Sequence, residues 1–463
     1  MKPTHTAAPY LTALLLTSMP AVAAADPLSD LRTELDALKA SYDNRIQLLE
    51  QRIAQLETAN AESANTDRPD DSVAALPPQP ALPLSTASGG SGANAFNPAI
   101  SLILGGSYTQ TSIDPARYQI AGFIPSGGES GPGARSFNLG ESELTIAANV
   151  DPYFFGALTA SFDADNELSV EEAFFRTTAL PDGFTLKGGR FFSALGYLNE
   201  VHAHAWDFVD QPLVYQALLG GQYTQDGLQL RWLAPTDVFM EFGLESGGGR
   251  NFPATPRSAN GLNGASAFLH MGNDIGDSAS WRAGVSWLRA SAEDRRYSDL
   301  DAAGAAVTNA FTGSSQTWVA DFTWKWAPHG NPTERQLKLQ GEYVRRSENG
   351  SLVFDVDARA LTGAYRSRQS GWYAQGVYQF APRWRVGLRY DSLDSRDPRV
   401  GADFPLLQSA SPRRTTLMLD WNLSEFSRLR SQLAWDEARR GETDKQLFLQ
   451  YIFSLGAHGA HKF

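Results

Sequence analysis

Apolar and polar residues alternate with a period of two through most of residues 96–463. Trp318, Phe322, Trp324 and Trp326 fall on one face of an extended chain, with Thr317, Asp321, Thr323 and Lys325 on the other. Trp384, Val386, Leu388 and Tyr390 alternate with Arg385, Gly387, Arg389 and Asp391. Leu417, Leu419, Trp421 and Leu423 alternate with Thr416, Met418, Asp420 and Asn422. Neighbouring side chains of a strand point to opposite faces, so each stripe predicts a strand with one apolar and one polar side. Bounded by turn residues, the pattern predicts sixteen strands: 99–112, 136–150, 153–163, 168–180, 184–195, 221–233, 237–246, 264–273, 280–291, 316–327, 336–346, 370–380, 384–394, 413–423, 428–438 and 444–455.

The connections alternate in length. Tight turns are predicted at Asp151-Pro152, Pro181-Asp182-Gly183, Pro235-Thr236-Asp237, Gly276-Asp277, Ala381-Pro382-Arg383 and Ser424-Glu425. Long loops are predicted at 113–135, 196–220, 247–263, 292–315, 347–369 and 395–412. An even strand number, apolar outward stripes and connections that are short at one end and long at the other describe a membrane barrel. Ten of the eleven Trp lie on these strands, many near strand ends, where amphipathic rings favour the bilayer interface. The fold class predicted is all-β, a sixteen-stranded antiparallel transmembrane β-barrel over residues 96–463, preceded by a short α-helical coiled coil. A secreted soluble β-protein is the alternative.

A different pattern precedes the barrel. Residues Tyr10–Ala25 are apolar and end in Ala23-Ala24-Ala25, after a start carrying Lys2, which predicts a signal peptide over 1–25. Leu28, Leu31, Leu35, Leu38, Tyr42, Ile46, Leu49, Ile53 and Leu56 then recur at steps of three and four. This seam predicts a periplasmic coiled coil over 26–60, with dimer and trimer both open. Residues 61–95 carry Pro77, Pro78, Pro80, Pro83 and the run Ser88-Gly89-Gly90-Ser91-Gly92, the composition of a linker.

Composition narrows the function classes. The chain has 463 residues, no Cys and a formal charge of −12. Disulfides, thiol nucleophiles and Cys-based zinc sites are excluded, and the acidic balance argues against nucleic acid as a partner. No nucleophile–base constellation stands out, so an enzyme is not expected. Glu171-Glu172 reads as two adjacent acids on opposite faces of a strand. His458 and His461 read as part of a C-terminal tail, and His270 and His329 stand alone.

The architecture resembles Gram-negative porins of the phosphate-selective type. Phe96-Asn97-Pro98-Ala99-Ile100-Ser101, Val150-Asp151-Pro152-Tyr153-Phe154, Ala179-Leu180-Pro181-Asp182-Gly183 and His202-Ala203-His204-Ala205-Trp206-Asp207 resemble the short outer-membrane proteins labelled zinc-regulated or TonB-dependent receptors. The region before the barrel reads as a helix and linker with no plug domain, which favours the porin-like reading. The resemblance implies a Gram-negative outer membrane, lipid around the barrel, a homotrimer, and recognition of the C-terminal strand by the barrel-assembly machinery. It also implies that the third external connection, 196–220, folds into the lumen and narrows it.

That loop carries Glu200, His202, His204, Trp206, Asp207 and Asp210. His202 and His204 share one side of an extended backbone. With a carboxylate such as Glu200 or Asp207 they offer the ligand types for Zn²⁺. Asp207 and Asp210 are candidates for an acidic ring favouring cations. The simpler alternative is a loop hydrogen-bonded to the barrel wall and anchored by Trp206 and Phe208. Arg385, Arg389, Arg414, Arg428 and Arg430 cluster late in the chain as a basic wall of the lumen. The function expected is passive diffusion of small hydrophilic solutes or ions, with no cofactor required. The alternatives are a divalent-metal (zinc) uptake channel or receptor, and a structural anchor for the coiled coil.

Overall fold

The structure, a computed structural model, describes residues 98–123, 130–162, 167–249, 251–256, 258, 260–401, 404 and 409–456. The predicted signal peptide over 1–25, the predicted coiled coil over 26–60, the predicted linker over 61–95, and His458 and His461 lie outside them. The β segments are β1 (Ala99–Thr111), β2 (Ser136–Leu139), β3 (Ser142–Asn149), β4 (Phe154–Phe162), β5 (Leu168–Thr177), β6 (Phe184–Phe192), β7 (Thr224–Leu233), β8 (Phe239–Gly247) and β9 (Gly264–Ile275). They continue as β10 (Ala279–Leu300), β11 (Ala306–Trp326), β12 (Gln336–Phe354), β13 (Leu361–Ala381), β14 (Trp384–Asp394), β15 (Arg399–Val400), β16 (Arg413–Ser424), β17 (Ser427–Asp436) and β18 (Asp444–Gly456).

All belong to one sheet. β2 and β3 are two parts of a single barrel strand, both paired with β1, and β15 is a two-residue ribbon on β13. The remaining count is the sixteen strands that the alternation predicts. β1 closes the barrel, pairing with β18 from Ser101↔Gly456 to Thr111↔Gln446 and with β3 from Ala99↔Ala147 to Ile103↔Glu143. Closure satisfies every strand edge, which a sheet in lipid requires.

The two faces follow the sequence stripes. Trp318, Phe322, Val386, Leu388, Leu417, Leu419, Trp421, Leu433 and Phe453 point outward and are exposed. Thr317, Asp321, Arg389, Asp391, Arg414, Asp420, Arg430 and Asp436 point inward and are buried. An apolar outside around a polar inside inverts a soluble core and fits a barrel surrounded by lipid. Aromatics pair across strands near the short turns, as in Trp384 on Trp421 with ring centroids 5.6 Å apart and Trp232 on Phe242, also 5.6 Å. A second group, Trp287–Trp318 and Trp372–Tyr390, lies further from the short turns, on β10, β11, β13 and β14. Trp281 and Trp287 mark both levels on β10, ~20 Å apart along the strand at about 3.3 Å per residue.

Two predicted loops are corrected. Most of 292–315 and 347–369 is strand: β10 runs to Leu300, β11 starts at Ala306, β12 runs to Phe354 and β13 starts at Leu361. The hydrogen-bonded ladder continues where the outward face no longer meets lipid, so outward residues such as Arg296 and Ser298 turn polar and the stripe fades. A buried cluster of Ala292, Tyr297, Val307, Phe311, Leu352, Phe354, Tyr365 and Phe404 supports the extension. Arg295 grips Glu348 there with two hydrogen bonds of 2.8 and 3.0 Å.

The outward stripe makes one stability prediction. Leu388→Arg, on the outer face of β14, should cost about 2–4 kcal/mol in reversible unfolding from lipid vesicles. A neutral result would place that face away from the bilayer.

Candidate functional site

The lumen is occupied by the segment between β6 and β7, Ser193–Gln222, the third connection at that end of the barrel. It turns inward at Gly196, whose φ of 69° suits glycine. Leu195, Leu198, Trp206, Leu213, Val214 and Leu218 pack on Leu288, Val319, Val344, Tyr373 and Leu393 of the wall. Pro212 starts a short helix, Leu213–Leu218, in which every residue is buried. Ile120 and Phe123 of the first long connection join the same cluster. Asn199 ties the two ends of the segment together, donating to Ser193 O (2.7 Å) and Tyr223 O (2.9 Å) and accepting from Tyr223 N (2.8 Å).

A buried loop needs partners for its backbone N–H groups, and wall carboxylates supply them. Glu245 accepts from Ala194 N at 2.9 Å and from the Ser193 hydroxyl. Glu342 accepts from Leu198 N at 3.0 Å and from the Tyr215 and Tyr373 hydroxyls at 2.9 and 2.7 Å. Asp391 accepts from Leu213 N at 2.9 Å.

The segment's acids face the late strands. Asp207 takes Lys338 Nζ at 3.0 Å and Arg385 Nη1 at 3.2 Å. Asp210 takes Arg389 Nη2 at 2.8 Å and Arg414 Nη1 at 2.5 Å, with Gln432 Nε2 at 2.9 Å. Arg430 donates to Trp206 O at 3.0 Å, and Arg428 donates to His204 O. Arg430 and Arg385 also pair with Asp420, and Arg414 lies near Asp391 and Asp436. The five arginines stand on β14, β16 and β17; carboxylates pair with Arg385, Arg389, Arg414 and Arg430, and Arg428 holds a backbone carbonyl of the segment. Burial raises the carboxyl of Asp207, but Lys338 and Arg385 outweigh it and hold the group below the usual range. Arg414 and Arg389 do the same for Asp210. Each of the two carboxylates expected in an acidic ring is thus paired with two cations of the wall.

The histidines face the early strands. His202 Nδ1 lies 3.0 Å from Glu171 Oε2 and 3.2 Å from Glu143 Oε2, and its Nε2 lies 3.2 Å from Glu172 Oε2. His204 Nδ1 lies 2.8 Å from Glu143 Oε1, and the two imidazoles stack with centroids 5.8 Å apart. Burial disfavours the charged imidazole of His202, but the Glu143 charge and the carboxylate hydrogen bonds prevail and hold its proton well above the ordinary histidine range.

Two sequence expectations change here. The carboxylates beside His202 are those of Glu143, Glu171 and Glu172, whereas Glu200 pairs with Arg231 and Asp207 with Lys338 and Arg385. Glu171 and Glu172 do not point to opposite faces. The β4–β5 ladder pairs Thr159 with Glu172 and Ala160 with Val170, so Glu171 is an inserted bulge residue. A bulge re-aims a side chain, and both carboxylates reach the lumen. Asn199 carries no motif that would reveal its role. Glu245 and Glu342 are legible as inward acids, but their loop partners are not. His270 also acquires a partner, Glu241, at 3.3 Å.

No protein-family model matches the chain. Among solved structures, the chain is similar to a loop-deletion mutant of OmpT, an outer membrane protein of Vibrio cholerae, at 11% identity and a TM-score of 0.47, covering 78% of this chain and 99% of that one. It is also similar to the outer membrane channel DcaP of Acinetobacter baumannii, at 12% identity and a TM-score of 0.45 over 78% of this chain and 97% of that one. In sequence it is 33% identical over 352 residues to an uncharacterized protein of Aquifex aeolicus (strain VF5), covering 71% of this chain and 70% of the relative. The chain belongs to the same family as that Aquifex aeolicus protein.

Proposed function

We propose that the barrel is a diffusion pore of a Gram-negative outer membrane, passing small hydrophilic solutes or ions through a lumen narrowed by residues 193–222. The observation that carries this reading is the charged interior inside an apolar outer surface, with a loop fastened across it. An interior meant only to hold a barrel in a membrane could be packed with apolar side chains; this one keeps Glu143, Glu245, Glu342, Arg389, Asp420 and Arg430. Acids dominate the side formed by β3, β5 and β8, and paired arginines line the side formed by β14, β16 and β17. Opposed walls orient a dipolar solute without strongly favouring either ion sign. The seam of residues 28–56 then lies in the periplasm and joins copies, three in our reading.

Purified protein in a planar bilayer should give stepwise conductance under a KCl gradient, with a reversal potential near zero. Folded, heat-modifiable protein that passes no current would overturn the pore and favour the anchoring role. Asp210→Ala removes the shared partner of Arg389 and Arg414 and should weaken docking of the segment by about 3–5 kcal/mol. Its readout is a larger, noisier conductance with the barrel still folded.

The same ion pairs set a pH window. The carboxyls of Asp207 and Asp210 titrate lower when docked than when free, so their contribution is complete above about pH 4 and is lost as pH falls further. Conductance should stay constant from pH 7 to about 4.5 and rise below about 3.5. A rise already at pH 6 would assign the fastening to other groups.

A further inference from the structure

The cluster of Glu143, Glu171, Glu172, His202 and His204 holds more than loop fastening requires. We propose that Glu143, Glu171 and His202 form a divalent-cation site of the zinc class on the lumen wall. One oxygen from each carboxylate and one nitrogen of His202 lie within 4.8 Å of one another. His202 Nδ1 is 3.0 Å from Glu171 Oε2 and 3.2 Å from Glu143 Oε2. Zinc bonds of about 2.0–2.2 Å in a tetrahedron separate neighbouring ligand atoms by ~3.3–3.5 Å, close to the two distances from His202 Nδ1, and the two carboxylate oxygens lie within 4.8 Å of each other. A single ring nitrogen facing two carboxylate oxygens can give a proton to only one of them at full strength. A cation placed between the three atoms, with the ring proton released to solvent as it binds, satisfies all of them.

The surroundings match those of a metal ligand set. A ligating histidine commonly turns its other ring nitrogen to a carboxylate, which orients the ring. Glu172 Oε2 occupies that position, 3.2 Å from Nε2, and Glu172 Oε1 is itself fixed by Phe192 N at 3.2 Å. His204 Nδ1 meets the second oxygen of Glu143 at 2.8 Å and leaves Oε2 directed at the site. The bulge at Glu171 is what brings a third carboxylate to this face. The ammonium of Lys187 lies over the Phe174 ring at 4.6 Å. The side chain of His202 keeps 22% exposure, an entry route from the lumen. Mixed imidazole and carboxylate donors favour Zn²⁺ over Mg²⁺ or Ca²⁺, which prefer oxygen alone.

This site is independent of the pore reading, because binding is measured without current. Chelator-treated full-length protein in detergent is titrated with Zn²⁺ by calorimetry at pH 7.5, with 5 mM Mg²⁺ present. One ion per chain should bind, with Kd below about 10 μM. Glu171→Gln and His202→Ala should each weaken binding at least tenfold, and Glu172→Gln about 10–100-fold. A His458→Ala, His461→Ala double variant should bind as the parent does. Heat-dependent gel mobility checks that each variant is folded, and Glu171→Gln removes the carboxylate charge without changing side-chain size. No binding at 1 mM Zn²⁺, binding unchanged in folded Glu171→Gln, or binding lost only with the tail histidines would each overturn the site.

Discussion

A charge buried inside this barrel must find a countercharge, and the inserted segment supplies many of them. Asp207 and Asp210 answer cations of β12, β14 and β16, while His202 and His204 answer carboxylates of β3 and β5. Removing one partner from such a pair leaves an unsatisfied buried charge, a far larger cost than an exposed ion pair returns. The segment is therefore held at both sides of the lumen by interactions that have no good alternative. The apolar cluster around the helix Leu213–Leu218 fills the space between those attachments.

Wall and segment consequently form one electrostatic unit. The basic side is built from neighbouring inward positions, with Arg385 and Arg389 on β14, Arg414 on β16 and Arg428 and Arg430 on β17. Cross-strand pairing places Asp391 beside Arg414, and Asp420 beside both Arg385 and Arg430. Part of the neutralisation is thus intrinsic to the sheet, and the segment completes it. Glu342 and Glu245 have a different role: their oxygens collect N–H and O–H donors of a loop that cannot reach water.

The barrel was legible because lipid imposes a simple rule. Every outward position within the bilayer must be apolar, so Leu417, Leu419, Trp421 and Leu423 announce their strand. Beyond the bilayer the rule lapses while the hydrogen-bonded ladder continues, which hides the upper parts of β10–β13. The inward location of the arginines follows from the same alternation. Their partners do not, since Arg389 and Asp210 lie far apart in sequence and meet only through the loop's path. The bulge is hidden for a similar reason: an adjacent pair of glutamates looks the same in a regular and a bulged strand, and only the pairing of Thr159 with Glu172 and Ala160 with Val170 distinguishes them.

Unequal strand length shapes the mouth of the barrel. β6 has 9 residues, enough for ~23 Å of height at a tilt of about 40°, close to the lipid band itself. β13 has 21, enough for on the order of 50 Å. The four strands β10–β13 therefore stand as a palisade along one arc of the rim, while the arc formed by β4–β8 ends near the lipid headgroups. A molecule approaching from the end of the long connections meets a parapet on one side and a low threshold on the other, and the threshold belongs to the arc that carries the glutamate and histidine cluster.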